Sequence, residues 1–279
     1  MASATPLRID PTPTALAHAM QGHSVVLLGE VHDNAAQHAL RAAALQQLLA
    51  TGVRPAIALE QFDREHQGDI DRARRERPTD ADYLIARAKG DPGWNWNFYR
   101  PYVALALKYD LPIVAANLSR HDAIKVAIDG WGSVFDAATI RELGLDALPA
   151  DLRRKQEHAI AVGHCNLLPA EMLPPRANAQ MARDIVMAQS IRRYWSRGVV
   201  LLAGNGHVRR DIGVPVWLPA EMARGALSIG LLERAGDRST PAGVENFDAY
   251  VVTEPAERTD PCKGLEKRLS HASATGDAR

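Results

Sequence analysis

Two stretches of this chain open with the same four apolar residues and close on the same polar device: VVLLGEVH at 25–32 and VVLLAGNGH at 199–207. Each is a short, β-branched and leucine-rich run bounded by glycine, the signature of a strand buried on both faces. Each then ends in a Gly-x-x-His element, Gly29 to His32 and Gly204 to His207. A strand apolar throughout needs cover on both sides, which points the chain to a layered α/β arrangement.

The rest of the chain supplies that cover. Further buried runs fall at Ala56–Glu60 (AIALE) and Leu111–Leu118 (LPIVAANL), with two more strands at Ala226–Leu232 and Ala249–Thr253. Helical spacing fills the intervals. A short helix spans Thr12–Gln21, and a longer one runs from Asn34, a capping residue, to Thr51 ahead of Gly52. The mixed charges of Gln61–Pro78 suit an exposed helix. Five aromatics crowd residues 94–102, and Phe98, Tyr102, Leu105 and Tyr109 recur at helical spacing with Pro101 in the first turn. Another helix follows Ser119. Residues 130–173 read as mostly helical, and Arg176–Tyr194 forms one long helix. The expected fold is α/β: a mostly parallel sheet flanked by helices, with a helical insertion. Residues 1–22 form an N-terminal segment, 23–254 a single domain and 255–279 a polar, loose tail.

Lys plus Arg and Asp plus Glu are both 33, so no net field draws the chain to nucleic acid. The two cysteines, Cys165 and Cys262, are too few for a disulfide framework and form no Cys-x-x-Cys pair. No apolar run approaches the roughly 18 residues that cross a bilayer, so no transmembrane segment is expected. The first twenty residues lack a basic start and an unbroken apolar core, and no cysteine precedes Cys165 to carry a lipid. The sequence as given therefore suggests a cytoplasmic protein, or a periplasmic or membrane-associated one if a leader precedes it.

In parallel sheets, ligands sit outside the carboxyl ends of the strands. Glu30 and His32 follow the first strand, Glu60 and Asp63 the second, Asn117 and Arg120 the third, and Asn205 and His207 the fourth. All are expected at one edge. Carboxylates and imidazoles together suit a divalent metal such as Mn, Co or Zn, with a glutamate to activate bound water. Glu30 at the end of an apolar run must be solvated, paired or bound, because an unpaired buried charge is costly. The Gly204 and Gly206 pair alone is weak support for a nucleotide.

Several blocks in order carry a resemblance: GEVHDN at 29–34, ALEQFD at 58–63, WNFYRPYVALAL at 96–107, LPIVAANLSR at 111–120, HCNLLP at 164–169, AQMARDIVMA at 179–188 and AGNGHVRRDIGVP at 203–215. Together they resemble the ChaN family of bacterial haem-binding proteins, grouped with Tiki and TraB metalloprotease-like domains. The resemblance implies haem (iron protoporphyrin) binding linked to bacterial haem or iron uptake, at a surface used for homodimerisation. On that footing Tyr99 and Tyr102 are the first iron-ligand candidates, Tyr102 being equally readable as a core aromatic. Arginines such as Arg120 would pair with propionates, and His164, Glu30, His32, Glu60 and His207 complete the candidate set. The alternative is a metal-dependent hydrolase, with His32, His207 and Glu60 on the metal and Glu30 or Glu60 moving the proton. The chain reads as a haem-binding protein more than as an enzyme.

Overall fold

Seven parallel strands in the order β1-β7-β6-β2-β5-β3-β4 organise the molecule. The computed structural model describes residues 5–89, 93–236, 240–260 and 262–264. The strands are β1 (Leu7–Ile9), β2 (Val25–Leu28), β3 (Ala56–Asp63), β4 (Ile113–Asn117), β5 (Val199–Leu202), β6 (Ala226–Glu233) and β7 (Ala249–Thr253). The helices are α1 (Pro13–Met20), α2 (Ala35–Ala50), α3 (Gln67–Glu76), α4 (Ala81–Ala88), α5 (Trp96–Lys108) and α6 (Arg120–Asp129). They continue with α7 (Ala137–Leu143), α8 (Ala150–Gly163), α9 (Leu173–Arg192), α10 (Asn205–Val208) and α11 (Ala220–Gly225).

Every residue of β2 and β5 is buried, and alternate side chains serve opposite layers. Val26, Leu28, Ile57, Leu59, Val200 and Leu202 join α1, α2, α4 and α5 in one core. Val25, Leu27, Ala58, Val199 and Leu201 join Met187 and Ile191 of α9 in the other. Burying each such Val or Leu is worth roughly 1.5–3 kcal/mol, which explains why neither face carries a polar residue along these four-residue strands. The expected helical insertion is α6–α9, between β4 and β5, with a core of its own around Leu118, Phe135, Met181 and Ile185.

Three details depart from the sequence reading. β3 does not stop at Glu60 but continues to Asp63, and its register against β4 shifts between the pairs Leu59–Ala115 and Asp63–Asn117. Four residues on β3 there span two on β4, an irregularity that re-aims side chains at the end of the strand. α5 starts at Trp96, so Pro101 lies in its second turn rather than its first. The carbonyl deprived of a partner belongs to Asn97, an exposed residue. Finally, β1 adds an edge strand beside β7, so part of the N-terminal segment belongs to the sheet.

The chain beyond β7 is tied down as far as it is described. Arg258 pairs with Asp33 and Glu233, and Cys262 forms a disulfide with Cys165 across 97 residues of sequence. The tail expected over 255–279 lies outside the described residues from 265 onward.

Candidate functional site

The strand order changes direction around β2 and β5, and the carboxyl ends of β2, β5 and β3 meet there. A polar cleft of about 540 Å³ opens at that rim. Glu30, His32, Glu60, Asp63, Asn117, Arg120, Asn205 and His207 all line it, so four loops far apart in the chain converge.

Glu30 sits just past β2 and is buried. Its carboxylate accepts the Tyr99 hydroxyl at 2.7 Å and is paired with the guanidinium of Arg41, which is fully buried in α2 and also donates to the Leu28 carbonyl. That set of partners is what a carboxylate at the end of an apolar strand requires. Glu30 Oε1 also accepts from Nδ1 of His32 at 3.0 Å. With Nδ1 so engaged, Nε2 carries the free lone pair. The His32 ring stands edge-on to Trp94, 5.0 Å between centroids, and lies against Gly204. A Cβ at position 204 would stand 2.7 Å from Cε1 and 2.9 Å from Nε2 of that ring.

A second network lies opposite. Nδ1 of His207 is 2.6 Å from Asp184 Oδ1 of α9, and Nε2 is 3.3 Å from Glu60 Oε1. Glu60 Oε2 accepts the Gly204 N–H at 2.7 Å. Burial disfavours charge on His207, yet the Glu60 and Asp184 carboxylates push it up to about 10, so the ring is an imidazolium at neutral pH. Burial would raise Glu60, but His207, with the Gly204 N–H, holds it below the usual carboxylate range. Arg183, which lines the cleft, donates to Asn117 Oδ1 and to the Leu118 carbonyl.

The donor set does not form a metal cage. Both ring nitrogens of His207 lie against carboxylates, and among the described residues no group of three His, Cys, Asp or Glu converges as a metal site. Tyr99 and Tyr102, the first ligand candidates, are 1% and 0% exposed. Tyr99 donates to Glu30, and Tyr102 donates to the His38 carbonyl at 3.0 Å. Burial raises both phenols above the ordinary tyrosine range.

Beside the cleft, sharing Arg120, Gln180 and Arg183 with it, lies a groove of about 720 Å³ formed by α6, α8 and α9. Ile124, Ile128, Ile160, Met172 and Pro175 give it an apolar lining, and Ile124 and Ile128 are 47% and 76% exposed. His32 and His207 line the cleft, whereas His164 lines this groove. Its Nδ1 donates to the Ile160 carbonyl at 2.8 Å, which leaves Nε2 as the free lone pair. Arg120 and Arg176, also in the lining, form no ion pair among the described residues.

Arg41, Asp184 and Arg183 escape the sequence reading. Asp184 had a signal: it lies three residues after Met181 and four before Ala188, on the apolar stripe of α9, where an acid must have a buried partner.

A family model described as haem-binding uptake, Tiki superfamily, ChaN matches residues 16–218. Among solved structures, ChaN of Campylobacter jejuni with cofacially bound haem superposes with a TM-score of 0.64 at 21% identity, covering 84% of this chain and 88% of that one. The type III effector HopBA1 gives a TM-score of 0.49 at 13% identity, covering 91% and 100%. No curated protein sequence matches.

Proposed function

The chain belongs to the ChaN family of haem-binding uptake proteins in the Tiki superfamily, and from that membership we propose that haem lies in the groove between α6, α8 and α9, with His164 as its iron ligand. The observation that carries the placement is the His164 ring, fixed through Nδ1 to Ile160 with Nε2 unclaimed in an apolar groove. Haem supplies the iron and the porphyrin face. The chain supplies the wall of Ile124, Ile128 and Ile160 that excludes water, and Arg120 and Arg176 for the propionates. Ile128 projects into solvent, and a second copy of the chain closing over it would complete the enclosure as a homodimer. The Cys165–Cys262 bond supports an oxidising compartment over the cytoplasm.

Haemin titration followed in the Soret region tests the reading. Saturable binding by the wild type, a ligation spectrum lost in His164→Ala and retained in His32→Ala, is the expected result. A His164→Ala protein with an unchanged spectrum and affinity sinks the placement.

The polar cleft supports a second reading, hydrolysis. His32 is oriented by a buried carboxylate and faces Glu60 across Gly204, an arrangement suited to moving a proton. Ester turnover abolished by His32→Ala, with no Soret response to haemin, would favour it.

A further inference from the structure

We propose that the Cys165–Cys262 disulfide is a reversible redox site that sets the affinity of the neighbouring groove through His164. The inference rests on the groove placement above. His164 ends α8, and the two residues after it, Cys165 and Asn166, both adopt left-handed backbone with φ of 59° and 56°. Asn166 belongs to the side chains that tolerate that region, but Cys165 does not, and its left-handed backbone is held at a cost that the surroundings must offset. Hydrogen bonds also hold the turn: Cys165 N–H to the Val162 carbonyl at 3.0 Å, Asn166 N–H to the Ala161 carbonyl at 2.8 Å, Leu167 N–H to the His164 carbonyl at 3.0 Å, and His164 Nδ1 to the Ile160 carbonyl at 2.8 Å. Asn166 is exposed. The covalent restraint comes from Cys165, directly bonded in sequence to the proposed iron ligand.

The other end of the bond is anchored firmly. Cys262 follows a segment held at the carboxyl rim, where Asn34 donates to the Glu254 carbonyl and Arg258 grips Asp33 and Glu233. Asp33 adjoins His32 of the polar cleft, so Arg258 is held beside that cleft, while Cys262 is bonded to the residue after His164 of the groove. The disulfide therefore couples the His164 turn to the rim of the sheet. Both sulfur-bearing residues are half-buried, which leaves the bond open to a thiol.

The chemistry is a two-electron exchange with a dithiol. A thiolate of the reductant attacks one sulfur and forms a mixed disulfide, and the other cysteine leaves as a thiolate and takes up a proton. The second thiol of the reductant then closes its own disulfide, so that Cys165 and Cys262 end as thiols and the dithiol is oxidised. Once free, the left-handed turn relaxes, and His164 occupies its ligating position for only part of the time. If that fraction falls to about a tenth, apparent haem affinity falls about tenfold.

The test is haemin titration of the full chain in three forms: oxidised, reduced with dithiothreitol that is then removed anaerobically, and the Cys165→Ala, Cys262→Ala double variant, which needs no reductant. Affinity about tenfold weaker in the last two, with unchanged far-ultraviolet circular dichroism, is the expected result. Equal affinity in all three overturns the inference. If the oxidised protein itself gives no Soret response, the groove placement fails separately, and amide exchange over residues 162–167 decides the clasp alone: faster exchange on reduction upholds it, and unchanged protection overturns it.

Discussion

Asp184 Oδ1 lies 2.6 Å from Nδ1 of His207, on a side chain that α9 carries into the core. Glu60 takes the other ring nitrogen at 3.3 Å, so the imidazolium is held from both sides while it lines the cleft. The two carboxylates together outweigh the loss of solvent, which is why the ring keeps its proton well above the ordinary histidine range.

That arrangement fixes the sign of a pH effect. The folded-state value for His207, pushed up to about 10, exceeds the unfolded value of 6.5, so the native state binds the proton more tightly. Its contribution is full below about pH 6.5 and is lost as pH rises towards 10, with a slope of at most about 1.4 kcal/mol per pH unit for one proton. Urea unfolding of the wild type and of His207→Gln at pH 6, 8 and 10 measures it. The stability gap between the two should narrow as pH rises, and a constant gap would contradict the assignment.

Gly204 leaves no room for a side chain beneath His32. Alanine there would put its Cβ 2.7 Å from Cε1 and 2.9 Å from Nε2 of the ring. The ring is 49% exposed and can swing outward, so the cost is put near the low end of overpacking, about 1 kcal/mol. The displaced ring gives up Glu30. Nitrogen-15 chemical shifts of the His32 imidazole in Gly204→Ala should show Nδ1 losing its fixed proton while the thermal transition moves little.

Arg41 and Glu30 form an ion pair in which both partners are buried. Arg41→Met leaves the Glu30 carboxylate with the Tyr99 hydroxyl, His32 and the buried His38, whose Nδ1 lies 3.2 Å away, and should cost about 3–5 kcal/mol. Adding Glu30→Gln removes the stranded charge and should restore part of the loss. A double-mutant cycle by denaturant unfolding checks this; purely additive losses would show the pair to be uncoupled.

The alternation of apolar runs with helical spacing was enough to read the parallel sheet and the convergence of Glu30, His32, Glu60 and His207, because strand order and handedness leave one rim for all four. Helix phase was harder to read. Tyr99 and Tyr102 sit in an aromatic cluster that suggests a ligand face, but only packing of α5 against α2 decides that both turn inward. β1 is three residues long and pairs with a strand some 240 residues later, and so gave no periodic signal of its own. The partnership of Cys165 and Cys262 depends on how residues 254–260 are held at the rim, which composition does not encode. His164 was visible as part of a sequence block, yet its groove exists only once α6, α8 and α9 are assembled.

Tyr99→Phe separates a structural tyrosine from an iron ligand. The hydroxyl donates to Glu30 Oε1 at 2.7 Å and the residue is 1% exposed, so no porphyrin reaches it without opening α5. Removing the hydroxyl deletes one donor to a buried carboxylate that keeps Arg41 and His32, and should cost about 1–3 kcal/mol of stability. Haemin affinity and the Soret maximum should be unchanged, because the proposed ligand, His164, lies in a groove that Tyr99 does not line. Tyr102→Phe should behave alike, since its hydroxyl serves the His38 carbonyl. Loss of the ferric charge-transfer band in either variant would instead place a phenolate on the iron and require α5 to move on binding.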